Sequence, residues 1–150
     1  MQSTFSDVLT PLFKYLGSQP SVTGHEEAFE LMMRSGPTIA LQDYPAGNLT
    51  MSCNLPFAVE EERAQAMLLE LLQVNIMNLL SPPIIIAATG AGDEIVLWAR
   101  LPWEGMTADQ LINLYERFAH YAETVNKRLT TPAQIPEPQT DASRQTADAQ

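Results

Sequence analysis

Residues 67–80, MLLELLQVNIMNLL, carry apolar side chains at Met67, Leu68, Leu71, Leu72, Val74, Ile76, Met77, Leu79 and Leu80, too many for a single stripe of a helix. A helix that packs on one sheet needs one apolar face, so a helix as apolar as this has a second face to cover. Pro56 closes the preceding segment, and Glu60, Glu61 and Glu62 place carboxylates where the first turn of a helix favours negative charge. In a chain with few helices the second face is a candidate subunit interface, and the alternative is a cap on the chain's own sheet.

The elements on either side define the class. Phe5, Val8, Leu9, Leu12, Phe13 and Leu16 recur at helical spacing up to Gly17, a stop residue. Pro11 lies within that stripe, so the helix either starts there with Thr10 as its cap or begins at Ser3 or Ser6 and carries the proline inside. Between Glu26 and Asn54 the period falls to two, through Phe29, Leu31 and Met33, then Ile39 and Leu41, then Leu49, Met51 and Cys53. Ser35-Gly36-Pro37 and Tyr44-Pro45-Ala46-Gly47 separate these runs with turns too short for anything but antiparallel neighbours. After Ser81-Pro82-Pro83, the β-branched run from Ile84 and the alternating run from Glu94 to Leu101 read as a hairpin around Gly90-Ala91-Gly92. Thr107 and Gln110 form a capping-box pair ahead of Leu111, Leu114, Tyr115, Phe118, Ala122, Val125 and Leu129. The expected fold is α+β: a helix, a three-strand antiparallel meander, a dimerisation helix, a two-strand hairpin and a C-terminal helix. One domain spans residues 1–129, and residues 130–150, with Ile135 as their one large apolar residue, read as a disordered tail.

Charge and cysteine content narrow the function. Eight Lys and Arg against eighteen Asp and Glu give a net charge of -10, which repels phosphate backbones and anionic lipid, so neither nucleic acid nor a membrane is an expected partner. The N-terminus has no basic start followed by an apolar block, and no apolar run approaches the roughly 20 residues a membrane span needs. A lone cysteine, Cys53, suits a reducing compartment, and a cytosolic protein is the expectation.

No catalytic constellation is visible. His25 and His120 lie in different elements without Cys or Asp at ligand spacing, so no metal site is expected. Consecutive glutamates at 60–62 diverge by about 100° on a helix and do not converge on a substrate. Gly90-Ala91-Gly92 lacks the further glycines, the lysine and the following helix of a phosphate loop. Cys53 sits in an alternating strand with no histidine nearby and reads as a small core side chain rather than a nucleophile. No cofactor is implied, and the chain reads as a binding protein rather than an enzyme.

The order of elements resembles that of the class I type III secretion chaperones, the Tir-chaperone family. The resemblance runs from Phe5 to Leu129 and is most specific at Leu71-Leu72 followed by Asn75, then Leu101-Pro102, then the helix from Leu111 to Leu129. It implies a secretion-chaperone-like homodimer built on the second helix. It further implies that the dimer holds an extended N-terminal segment of one or a few secreted effectors, with release left to the export machinery. A regulatory subunit of the same fold, which sequesters a regulator, is the alternative.

For the dimer interface the expected residues are Leu68, Leu71, Leu72, Asn75, Ile76 and Leu79, with Asn75 pairing either with its symmetry mate or with a backbone carbonyl. For the partner site they are Phe5, Leu9, Phe13, Phe29, Leu31 and Met33, around a groove between the first helix and first strand, with Trp98 as the next candidate. Core packing is the competing explanation for the first six, and for Trp98 and Trp103 core packing and a binding hot spot weigh equally.

Overall fold

The computed structural model describes residues 4–17, 21–22, 28–77 and 80–130, with the backbone alone at 21–22 and at 77. Helix α1 (Phe5–Leu16) starts at neither expected boundary. Its N-cap is Thr4, whose hydroxyl accepts from the Asp7 N–H while the Asp7 carboxylate accepts from the Thr4 N–H, both at 3.1 Å. The reciprocal pair satisfies two donors of the first turn, which Thr10 could not do. Pro11 is carried inside the helix, and Gly17 at φ 64 ends it in the left-handed conformation.

Among the described residues six strands follow in one antiparallel sheet, ordered β1-β2-β3-β4-β6-β5. They are β1 (Ser21–Val22), β2 (Ala28–Met32), β3 (Thr38–Asp43), β4 (Asn48–Pro56), β5 (Ile85–Ala88) and β6 (Glu94–Pro102). The meander is β2, β3 and β4, joined by the two expected turns. The hairpin is β5 and β6, and its turn closes with the Thr89 N–H on the Glu94 carbonyl at 3.0 Å. The glycines of that turn therefore shape a hairpin, with Gly92 at φ 77.

Helix α2 (Glu61–Met77) connects the two halves, and β6 returns to pair with β4 along its whole length, Cys53 opposite Leu97 and Leu55 opposite Ile95. One face of the sheet carries Phe29, Leu31, Ile39, Leu41, Leu49, Met51, Cys53, Leu55, Ile95, Leu97 and Ala99, all buried. Against it lie α1 and α3 (Ala108–Thr130), which also pack on each other. The Thr107–Gln110 capping box forms at 2.9 and 3.1 Å, and Leu111, Leu114, Phe118, Ala122 and Val125 of α3 complete the core. The helix runs one residue beyond the expected domain end, to Thr130; the expected tail lies outside the described residues.

Candidate binding surfaces

Helix α2 lies beside β5 and divides its side chains between two environments. Met67 and Leu71 are buried, and Leu68 and Val74 pack partly against the core. Leu69, Leu72 and Ile76, at i, i+3 and i+7, form one row on the opposite side and are 55%, 54% and 81% exposed. Leu80, just past the helix, is 61% exposed. A row of large apolar side chains this open is the kind of surface that a partner covers.

Of the six residues expected at a dimer interface, the structure places Leu72 and Ile76 on the open row and Leu68 at its margin. Leu71 belongs to the chain's own core, and Leu79 lies outside the described residues. Leu69 was not expected; its spacing of three before Leu72 and seven before Ile76 was the available signal. Asn75, the polar member of the set, points its amide at backbone of its own chain. Its Oδ1 accepts from the Ile86 N–H at 2.8 Å and its Nδ2 donates to the Ile86 carbonyl at 3.1 Å. Of its two expected kinds of partner, a backbone group is the one present.

On the far side of α2 a shallow groove of about 390 Å³ separates it from α3, floored by Leu71, Val74 and Val125. Arg128 spans the two helices with a forked pair of bonds to the Glu70 carboxylate, 2.8 and 2.9 Å. That contact holds the Glu70 carboxyl below its ordinary pKa.

The partner-site residues lie deeper than expected. Phe5, Leu9, Phe29, Leu31 and Met33 are each less than a tenth exposed and belong to the core of the single chain. The cause is a cluster of aromatic rings at one end of the sheet. Phe5 meets Phe29 at 6.2 Å and Trp103 at 5.7 Å between centroids, and Phe13 closes on Phe29 at 5.5 Å. Phe13 alone of the six keeps partial exposure.

The two tryptophans resolve differently. Trp103 packs on Phe5 and donates its indole N–H to Asp43 Oδ1 at 2.9 Å, the same oxygen that accepts from the Gly47 N–H at 2.8 Å. It is a structural anchor of the β3–β4 turn. Trp98 lies on the other face of the sheet between Ser52 and Ile85, with the Arg100 guanidinium 4.9 Å from its ring centroid. Arg100 is held in place through its Nε on Thr50 Oγ1 at 2.8 Å, and the Thr50 hydroxyl in turn donates to the Tyr44 carbonyl. Met32, also on this face, is 78% exposed.

The residues weighed for chemistry are dispersed. His120 is exposed on α3, His25 lies outside the described residues, and no group of three or more His, Cys, Asp or Glu among the described residues could hold a metal ion. No described helix is long and apolar enough to cross a membrane. Cys53 is 1% exposed, and burial pushes its thiol up to about 11. Alkylation by iodoacetamide at neutral pH is therefore expected to be at least about 100-fold slower in the folded chain than after denaturation. Because the neutral thiol is the favoured form in the fold, its contribution to stability is present below the ordinary thiol range and is lost as pH rises from about 9 toward 11. Folded and denatured chains labelling at equal rates would contradict this placement.

This is the fold of the type III secretion chaperones: a helix, an antiparallel sheet, a connecting helix with an open apolar row, and a long C-terminal helix. The profile of the Tir chaperone protein (CesT) family matches residues 7–126, and the chain belongs to that family. No curated protein matches it in sequence. Several solved structures share its fold. The Yersinia pestis type III secretion chaperone SycH, solved with a stable fragment of YscM2, aligns with a TM-score of 0.62 at 20% identity over 81% of this chain and 99% of that one. The heterodimeric ExoU–SpcU complex of the Pseudomonas aeruginosa type III secretion system aligns with a TM-score of 0.60 at 25% identity, covering 81% and 96%. YbjN of E. coli, described as a putative transcription regulator, aligns with a TM-score of 0.59 at 14% identity, covering 85% and 93%.

Proposed function

We propose that the chain is a homodimeric chaperone of the bacterial cytoplasm that binds the N-terminal segment of one or a few secreted effectors and hands them, soluble and unfolded, to a type III export machinery. The observation that carries this reading is the open row of Leu69, Leu72 and Ile76 on the connecting helix of a chain of the Tir chaperone family. That row is the surface for a second copy, packed against itself across a two-fold axis. The effector segment binds in an extended form, its apolar side chains covering apolar surface of the chaperone, with dissociation rather than turnover as the functional quantity. Phe13 supports placing it near α1, because its ring is partly exposed and packs on Phe29, which in turn meets Phe5.

The test is the set of proteins exported by cells that carry or lack this chain. One or a few should vanish from the export when it is deleted and return on complementation. Complementation by Phe13→Ala should be poorer although that protein melts normally, whereas Phe5→Ala should be poor because it folds less well. An unchanged export profile would sink the chaperone reading. The regulatory reading draws support from the shared fold of YbjN, and it predicts unchanged export of each substrate per molecule made, with altered transcript levels.

A further inference from the structure

Strand β5 is the outermost strand on its side of the sheet. An edge strand presents alternate N–H and C=O groups outward, a template for any passing strand, and proteins usually blunt such an edge with charge, proline or a bulge. The residues of β5, Ile85-Ile86-Ala87-Ala88, include none of these and are of the kind that pairs readily. Ile86 faces Leu97 of β6 on one side. On the other side both its N–H and its C=O are engaged by Asn75, at 2.8 and 3.1 Å. A carboxamide presents a C=O acceptor and an N–H donor on the same side, as one residue of an antiparallel neighbour does, so Asn75 occupies the outward side of Ile86 as a residue of a seventh strand would.

We propose that Asn75 is an edge plug: its side chain closes β5 to strand addition, so that a second copy of this chain cannot pair edge to edge there. The apolar row of α2 is then the surface left on this side for association, and it works through side chains rather than backbone. Asn75 is a positioning residue in addition, because the same two bonds fix which side of α2 faces outward.

The experiment uses the full chain labelled with ¹⁵N and a fluorescein-labelled peptide of residues 94–102, the sequence that pairs with β5 on its inner side. In the wild-type protein the Ile86 amide should exchange slowly and the peptide should not bind. In Asn75→Leu, of similar volume, Ile86 should exchange faster by about tenfold or more while Leu97 in β6 stays protected, and peptide binding should appear. Asn75→Asp retains the acceptor for the Ile86 N–H and should keep most of the protection. Peptide binding to the wild-type chain, or Asn75→Leu with wild-type exchange and no binding, would overturn the proposal. Should Asn75→Leu fail to fold, Asn75→Ala decides: faster Ile86 exchange with peptide binding supports the plug, and wild-type exchange without binding refutes it.

Discussion

Leu72→Asp should convert the chain from a dimer to a folded monomer. Leu72 is 54% exposed in the single chain, so a carboxylate there meets water and costs the monomer little. Across a two-fold interface the same change occurs twice, and each buried carboxylate without a partner costs several kcal/mol. A loss of even about 4 kcal/mol weakens association roughly a thousandfold, enough to dissolve a micromolar dimer. Light scattering should report half the wild-type mass with an unchanged circular dichroism spectrum. Leu71→Asp is the contrasting change: Leu71 is buried in the chain's own core, and that variant should unfold rather than dissociate. A wild-type chain that is monomeric at micromolar concentration would end the dimer proposal.

Phe118→Ala should be the most damaging single truncation in the core. Phe118 is fully buried on α3, the helix that covers the sheet together with α1, and its ring is among the largest of the side chains that are wholly enclosed. Removing a buried phenyl ring costs about 3–5 kcal/mol through lost transfer energy and the cavity left behind. Domains of this size are stable by only about 5–15 kcal/mol, so the variant should lose at least about a fifth of its stability. Urea titration at fixed protein concentration should show a lowered midpoint with an unchanged slope. A midpoint within error of wild type would mean that α3 does not pack as described.

Sequence reasoning reached most elements because their signals are local. The capping box at Thr107 and Gln110, the alternation from Ile39 to Cys53 and the Gly-rich turn before Glu94 each specify a neighbourhood of a few residues, and each forms as expected. What it could not reach depends on contacts distant in the chain. The pairing of β6 with β4 joins residues some forty positions apart, such as Cys53 and Leu97, and no turn chemistry announces it. Two-residue β1 is too short to show a period.

The binding surfaces follow the same division. That α2 has two apolar faces is legible, but without a continuous polar stripe the sequence does not separate Leu71, which packs inward, from Leu69, which is exposed. In the folded chain Met67 and Leu71 turn into the core and Asn75 bonds to Ile86, eleven residues away. Phe5 and Phe29 look available because they lie near element ends; they are closed by Trp103 and by each other, which only the folded chain brings together.

The contrast between Trp98 and Trp103 also gives the molecule two built-in optical probes. They are its only tryptophans, one stacked under a guanidinium on the face of the sheet away from α1 and α3 and the other wedged against Phe5 with its N–H on a carboxylate. Both indoles are half-buried, so acrylamide should reach each of them only in part. Retaining each indole alone, through Trp98→Phe and Trp103→Phe, would yield two single-wavelength reporters. Shielding of the first would register a ligand that covers the outer side of the sheet, and a shift of the second would register loosening around α1.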